Sequence, residues 1–316
     1  MNNQKDYFNK YLKYKLKYLD LKNQDQNGGA AAITSSRIPS VSIIRGKSQD
    51  IANRPEFRNK KIGLLVASNP GRPGGSLGKM DGTGLASSYK KNFSTQEESV
   101  IASWFQAEEH IFNLNKKSND KNKFDCCEKF KDTLGVNATS RGRPWGMLNP
   151  ESTSVKTIQG KDFTLPFFEK GISQPQRATY YSFAYHLPNK PIFNSNKDSI
   201  KTVDLFFVYG PNVAASNTPT GSMSRTKIKE YRFPRDYPIF RDGVKNAIRA
   251  GLISMANADI KVAILARISG GIYSGNGNTN RQINNDYINI INELLLELYP
   301  NTNRQLGSYF TNVILT

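Results

Sequence analysis

The sequence of 316 residues has very little cysteine and histidine, the residue types that most often build metal sites and nucleophilic triads. Its two cysteines, Cys126 and Cys127, are adjacent, so they suit neither a structural disulfide nor a CxxC-type metal cage. Its two histidines, His110 and His186, have no histidine neighbour at helical or turn spacing. We therefore expect no metal site, no cofactor and no histidine-based triad, so other groups must carry any chemistry.

Long apolar runs are also missing from the chain. No window approaches eighteen consecutive apolar residues, and the lysine-rich N-terminus lacks the apolar block of a secretory signal. Hydrophobic residues nevertheless make up 37% of the sequence, which is enough for a real core. The sequence thus predicts a globular protein that is neither secreted nor bound in a membrane, in a reducing compartment.

Acidic residues are scarce compared with basic ones. The chain has 26 aspartates and glutamates against 44 lysines and arginines, which gives a formal net charge of +18. Such an excess attracts polyanions, for example nucleic acid or other acidic partners. The same excess is also typical of a surface that merely stays soluble, and composition favours neither interpretation.

Residues 1–35 differ in composition from the rest of the chain. Lysines and tyrosines are interleaved with leucines over residues 5–22, and the apolar residues recur at helical spacing, which predicts a basic amphipathic helix. A stretch rich in glycine, alanine and serine follows and predicts a flexible linker. This leader resembles the N-terminal segments of many proteins from giant DNA viruses of the mimivirus type. The resemblance implies the virion or the host cytoplasm as the location, and a solvated helix of a cytoplasmic or nuclear protein is the alternative.

Residues 36–316 alternate apolar runs with helical patterns, which indicates one layered α/β domain. The predicted strands cover residues 41–45, 62–68, 179–186, 203–209, 261–268 and 310–315. The predicted helices cover residues 95–110, 242–255 and 286–299, where apolar side chains recur every three or four positions. The polar stretch at about 113–176 predicts an insertion or a set of long loops, which in compact domains are usually functional.

A glycine-rich loop follows the second predicted strand and precedes the first predicted helix. Gly74 and Gly75 remove side chains where the backbone would approach a ligand, and the N–H groups of such a loop suit a diphosphate or a ribose. Glycine-rich turns are more often only turns, so the loop alone is weak evidence. Residues 41–48 end like a Walker motif, but Val41 occupies the position of its first glycine.

Gln96, Glu97 and Glu98 stand at the predicted start of a helix, where carboxylates oppose the helix dipole. If Ser94 is the N-cap, Glu97 takes the third helical position of a capping box and Glu98 faces the loop. If Thr95 is the N-cap, the two glutamates exchange these roles. Both assignments stay open at the level of sequence.

These segments resemble the poly(ADP-ribose) glycohydrolase family, whose signature is a GGG stretch followed by QEE. Here Ser76 replaces the third glycine, and 19 residues separate Ser76 from Gln96, where the family has far fewer. The run VDLFFVYGPN, which ends at Asn212, resembles the family's strand with an APN-like turn. The run AILARISGGIYSGN at 263–276 resembles its last phosphate loop, so the resemblance covers roughly residues 41–316.

The resemblance implies a macro-type three-layer α/β/α fold with a central mixed sheet and a site for ADP-ribose. It implies that Glu98 protonates the leaving oxygen and then deprotonates the attacking water, that Glu97 hydrogen-bonds ribose hydroxyls or the loop, and that Gln96 positions both. Tyr273 would cover the ribose or be an ordinary core aromatic, and Asp50 would bind adenine or only serve a turn. The implied ligand-binding residues are Asn69, Gly74, Gly75, Ser76, Gln96, Asn212, Gly270, Gly271, Ile272, Tyr273, Ser274 and Asp50.

The sequence therefore predicts a hydrolase that cleaves ribose glycosidic bonds of ADP-ribose or poly(ADP-ribose) on modified proteins, without metal or cofactor. One alternative is a macro domain that binds ADP-ribose or another nucleotide and does not hydrolyse it. A second alternative is a basic virion or nucleic-acid-associated structural protein that uses its charge and its leader. Activity on single adducts and activity on the polymer are equally compatible with the sequence.

Overall fold

The structure, a computed structural model, describes residues 38–68, 95–117, 184–214, 231–275, 277–300 and 302–316. Six strands in these ranges form one sheet in the order β1-β6-β5-β2-β4-β3. The strands are β1 (Val41–Ile43), β2 (Ile62–Ala67), β3 (Tyr185–Phe193), β4 (Ile200–Val208), β5 (Val262–Leu265) and β6 (Asn312–Leu315). Strand β3 runs antiparallel to β4 and the other neighbours are parallel, so the sheet is mixed.

Four α-helices accompany the sheet in the described residues: α1 (Ser48–Ala52), α2 (Gln96–Asn115), α3 (Tyr237–Asn257) and α4 (Asn278–Leu296). Helix α2 contacts α1 and packs against β2 and β3, whereas α3 contacts α4 and packs against β4. The helices thus form two groups on the sheet. The predicted α/β/α arrangement around a central mixed sheet is confirmed.

The core lies on the central strands, because these are covered by helices. Ile62, Leu64, Leu65 and Val66 of β2 are all buried, as expected for a parallel strand without a solvent face. Helix α3 approaches β2 very closely at Gly251, where an added Cβ would stand 2.2 Å from Leu65 Cδ1. The glycine in the middle of α3 is therefore explained by packing rather than by helix propensity.

The predicted elements are confirmed in kind, and their ends differ from the predictions. Helix α4 begins at Asn278 and not at residue 286, because its first two turns are polar and show no apolar periodicity in the sequence. Helix α2 continues to Asn115 and so includes the first residues of the predicted insertion. Strand β3 reaches Phe193 despite its two prolines, which an edge strand tolerates.

Several predictions concern residues outside the described ranges. They are the leader at 1–35, most of the polar segment at 113–176, and the glycine-rich loop with Asn69, Gly74, Gly75 and Ser76. The predicted division into leader, domain and insertion stays a prediction. Among the described helices, none has the length and apolar character that crossing a bilayer requires.

Candidate functional site

The candidate site lies at the carboxyl ends of three neighbouring parallel strands, β5, β2 and β4. We call this region the carboxyl edge. Ser68 follows β2 there and is tied to the neighbouring strand, because its N–H donates to the Val208 carbonyl at 2.7 Å. Asn212 follows β4, and residues 267–275 follow β5. Ligands in open α/β sheets bind outside such strand ends, so the topology places the turn after β4 and the loop after β5 where a ligand would bind.

Helix α2 begins at this edge, and Thr95 is its N-cap. The Thr95 Oγ1 atom accepts a hydrogen bond of 3.2 Å from the backbone N–H of Glu98. Glu98 therefore occupies the third helical position, and of the two cap assignments left open by the sequence the second is the one observed. Glu97 is 9% exposed and Glu98 is 5% exposed. The start of α2 thus carries two adjacent buried carboxyl groups.

The loop after β5 meets the start of α2. Tyr273 lies in the 3-10 turn Ile272–Ser274, and its side chain is half-buried. Burial raises the pKa of Tyr273, and the negative charge of Glu97 raises that pKa further. Charge effects of this kind weaken with distance, so the Glu97 carboxylate lies in the neighbourhood of Tyr273. The predicted helix start and the predicted second loop are brought together.

The two glycines of this loop have different surroundings. A Cβ added to Gly270 would stand 2.6 Å from the hydroxyl of Tyr287, whose O–H donates to the Ile268 carbonyl. A Cβ added to Gly271 would meet no heavy atom of the described residues within 4 Å. Gly270 is therefore required by close packing against α4. Gly271 leaves open space, which is the property expected where a ligand approaches backbone N–H groups.

Two asparagines on α4 support this loop, and the sequence analysis missed both. Asn280 Nδ2 donates to the Gly270 carbonyl at 2.8 Å and to Ser274 Oγ at 2.7 Å. Asn284 Nδ2 donates to the same carbonyl at 3.3 Å. The hydroxyl of Ser274 in turn donates to the Gly271 carbonyl at 2.7 Å, so Ser274 holds the turn together. The signal available in the sequence was the pair of asparagines four residues apart just after the glycine-rich loop, a spacing that places both on one face of a helix.

The loop after β4 is joined to the loop after β5. The Val213 N–H donates to the Tyr273 carbonyl at 2.8 Å. Asn212 is 0% exposed, and its Oδ1 accepts a hydrogen bond of 2.9 Å from the Ala214 N–H. Its Nδ2 has no hydrogen-bond partner among the described residues. Asn212 thus shapes the turn, and its predicted contact with a ligand stays a prediction.

Asp50 lies on α1, where its carboxylate is already engaged. Its two oxygens accept hydrogen bonds from the backbone N–H and the hydroxyl of Ser195, at 2.6 and 2.7 Å. Ser195 belongs to the turn between β3 and β4. The observed role of Asp50 is to join α1 to that turn, and its predicted contact with adenine stays a prediction.

Gln96 connects the start of α2 to the elements beneath it. Its Nε2 donates to Ser48 Oγ at 3.1 Å and to the Leu65 carbonyl at 3.3 Å. On the same side of α2, Gln49 Nε2 donates to Ser99 Oγ at 2.6 Å. Ser48 and Gln49 were not singled out from the sequence, because their partners lie about fifty positions away and no local pattern marks them.

The described residues contain no group of three or more histidine, cysteine, aspartate or glutamate side chains that could hold a metal ion. The carboxyl edge offers instead two carboxyl groups, a tyrosine and the backbone of a glycine turn. Such a set can transfer protons through the carboxyl groups and bind an oxyanion through backbone N–H groups.

No protein-family model matches the sequence, and no curated protein matches it. Matching solved structures include poly(ADP-ribose) glycohydrolase from Thermomonospora curvata, with 12% identity and a TM-score of 0.43 over 91% of this chain and 73% of that chain. The same enzyme bound to the inhibitor ADP-HPD matches with 11% identity and a TM-score of 0.42 over 88% of this chain and 72% of that chain. Likeness at this level establishes neither a family nor an activity.

Proposed function

We propose that the chain binds ADP-ribose at the carboxyl edge and hydrolyses ribose glycosidic bonds of ADP-ribose adducts or poly(ADP-ribose), with Glu98 as the general acid. This assignment follows the QEE resemblance, because the Thr95 cap taken alone gives Glu98 the capping position and turns Glu97 toward the loop. The proposal depends on one observation: two adjacent glutamates, Glu97 and Glu98, are buried at the start of α2, at the edge of the sheet where the loop after β5 also lies. It is supported by the sequence resemblance of the QEE run and of residues 263–276. ADP-ribosylated proteins are the proposed substrates, and the virion or the host cytoplasm is the proposed location.

The proposed reaction needs two proton transfers at one carboxyl group. Protonated Glu98 gives its proton to the leaving oxygen as the bond between the ribose anomeric carbon and that oxygen breaks, which leaves an oxocarbenium-like centre. Water then attacks this carbon and loses a proton to the Glu98 carboxylate, which restores the acid. Glu97 hydrogen-bonds ribose hydroxyls, and the open backbone at Gly271 binds the diphosphate.

Burial of the two carboxyl groups favours this assignment over a merely structural one. Carboxylates at the start of a helix are ordinarily explained by the helix dipole, and such residues usually stay in solvent. Here both are at most 9% exposed, at the edge of the sheet where the loop glycines and a tyrosine converge. Removing water from an acid makes proton transfer to a bound substrate more effective.

The test combines calorimetry with ADP-ribose and a glycohydrolase assay on the wild-type protein, Glu98→Gln and Glu97→Gln. We expect Glu98→Gln to lower kcat by about 10²- to 10⁴-fold, the usual contribution of a general acid, while ADP-ribose still binds. Glu97→Gln should raise KM more than it lowers kcat, because its role is to bind the ribose. Glu293→Gln on α4 removes an equal charge far along the chain and should leave turnover unchanged.

Other results would identify the alternatives. ADP-ribose binding without product release, unaffected by Glu98→Gln, would show a binding module. If the wild-type protein binds no ADP-ribose and binds DNA in a salt-sensitive way through residues 1–30, the nucleic-acid-associated alternative would replace the proposal.

A further inference from the structure

The short helix α1 carries two buried polar side chains that reach α2. Ser48 is 1% exposed and Gln49 is 3% exposed. Ser48 Oγ accepts the 3.1 Å hydrogen bond from Gln96 Nε2, and Gln49 Nε2 donates the 2.6 Å hydrogen bond to Ser99 Oγ. The partners are 48 and 50 positions apart in sequence, so these bonds fix two separate elements relative to each other.

The two residues of α2 that α1 contacts, Gln96 and Ser99, lie immediately before and after the glutamate pair in sequence. Successive residues of an α-helix are rotated by about 100°, so residues 96 and 99 project from one face of α2. Residues 97 and 98 project from the opposite side of the same turn. Helix α1 therefore contacts the back of the turn whose front carries Glu97 and Glu98.

We infer that Ser48 and Gln49 are positioning residues that set the rotation and height of the first turn of α2, so that Glu97 and Glu98 point into the carboxyl edge. This inference rests on the proposed function. Gln96 adds a contact to the same effect, because its second hydrogen bond reaches the Leu65 carbonyl of β2. The first turn of α2 is thus fixed from both α1 and the central strand.

The chemistry of these contacts suits an acid that must change its protonation state. A lysine or arginine in place of Gln49 would also hold the helix, but its positive charge would lower the pKa of the neighbouring carboxyl groups. The amide and hydroxyl groups of Gln49, Ser99 and Ser48 carry no net charge. They fix the geometry without adding a charge beside Glu97 and Glu98.

The hydrogen bond between Gln49 and Ser99 cannot easily be replaced by another partner. Both groups are buried, so the loss of one leaves the other without a partner and without water. A displacement of about 1 Å in a catalytic group is enough to lower a rate about a hundredfold. The expected consequence of breaking this contact is therefore a loss of turnover with little change in substrate affinity.

The experiment compares Ser99→Ala, Gln49→Leu and the double variant in the full chain, with steady-state kinetics on poly(ADP-ribose) and calorimetry with ADP-ribose. Each single variant should lower kcat by about 10- to 100-fold and change the ADP-ribose Kd by less than about threefold. The double variant should lose no more than either single variant, because both remove the same contact. Ser99→Thr keeps the hydroxyl and should retain most of the turnover.

Ser199→Ala is the matched control. Ser199 Oγ donates to Asn53 Oδ1 at 2.9 Å, so this variant also removes a hydrogen bond between the α1 region and another element, away from the glutamates. It should keep wild-type kcat, and thermal unfolding of every variant reports any loss of folded protein. An active wild type with Ser99→Ala and Gln49→Leu within twofold of its kcat would overturn the inference. A wild type without activity would instead overturn the proposed function on which it rests.

Discussion

Two sets of side-chain contacts join elements in this protein, and their chemistry differs. The contacts described at the start of α2 and at the Gly270 carbonyl are neutral, as between Gln49 and Ser99 or between Asn280 and the Gly270 carbonyl. Between α3 and α4 the contacts are ion pairs, with nitrogen–oxygen distances of 2.7 to 3.2 Å. The residues of this ion-pair ladder are Arg241, Lys245 and Arg249 on α3, Glu293 on α4, and Glu297 at the C-cap of α4.

The difference follows from the task of each region. The ladder lies on partly exposed helix surfaces, where water reduces the cost of holding a charge and the pairs only have to join two helices. The carboxyl edge contains two buried carboxyl groups, whose proton affinity any nearby fixed charge would change. Neutral contacts hold the start of α2 and the Gly270 carbonyl, whereas Arg267, at the base of the same loop, donates to Asn284 and to the Thr316 carbonyl. Substitutions in the two regions should therefore lower the free energy of unfolding for different reasons, and the losses should depend differently on salt and pH.

The largest expected effect on stability is at the loop glycines. Gly270→Ala would place a methyl group against the hydroxyl of Tyr287 and should lower the free energy of unfolding by about 2 to 3 kcal/mol, the usual cost of overpacking. Gly271→Ala is the matched control, since it meets open space, and should cost less than about 0.5 kcal/mol. Denaturant unfolding measures both. Equal losses would show that the two glycines do not differ as described.

A smaller loss of stability is expected at Asn280. Asn280→Ala removes the hydrogen bonds to the Gly270 carbonyl and to Ser274, and should cost about 1 to 2 kcal/mol in free energy of unfolding. The loss should be the same in 0.1 M and in 1 M NaCl, because neither partner is charged. ADP-ribose affinity should also fall, since the loop is less well fixed. Salt-dependent destabilisation would contradict the neutral character assigned to this region.

The destabilisation caused by a variant of the ladder should, in contrast, depend on salt. Glu293→Gln removes contacts with Arg241 and Lys245, and should lower the free energy of unfolding by about 1 kcal/mol at 0.1 M NaCl. In 1 M NaCl the screening length falls to about 3 Å, which is comparable with the separation of these partly exposed charges, so the difference should shrink to less than half. Asp242→Asn, which neutralises an exposed acid on α3, provides the control for the change in net charge.

The smallest effect expected is the pH dependence of the ladder. Burial tends to raise the pKa of Glu293, but hydrogen bonds from Lys245 and Arg241 outweigh it and hold that pKa below its usual value of 4.5. Because the folded-state pKa is lowered, the stabilisation is fully present above the usual glutamate pKa and is lost as pH falls through the folded value. The difference in Tm between wild type and Glu293→Gln should therefore be constant above about pH 5.5 and vanish in more acidic buffer. A difference that grows in acid would show the opposite sign.

The elements of the fold could be predicted from the sequence because their signals are local. The apolar runs of β2, β4 and β5 and the three- to four-residue spacing in α2, α3 and α4 identify strands and helices without reference to distant residues. The polar first turns of α4 gave no such signal, so its start was placed at residue 286 instead of Asn278. The asparagines in these turns serve the loop after β5, and a contact with a distant loop leaves no periodic pattern.

Part of the site could also be predicted from the sequence, because some of its motifs are local. The QEE run and the glycine pair at 270–271 are contiguous motifs, so they could be found in the sequence. Whether Ser94 or Thr95 caps α2 depends on the path of the backbone, and the structure selects Thr95. The partner of Asp50, which is Ser195, lies 145 positions away and could not be inferred from the residues around either.

By itself, the amino-acid sequence determined the α/β class, the approximate strands and helices, and the residue types at the start of α2 and in the loop after β5. Those features depend on the chemistry of neighbouring residues, which a sequence displays directly. The tertiary structure alone decided that Thr95 caps α2, that Gly270 packs against Tyr287, and that Gln49 reaches Ser99. The last two contacts join residues brought together by chain topology and close packing, which no short stretch of sequence specifies.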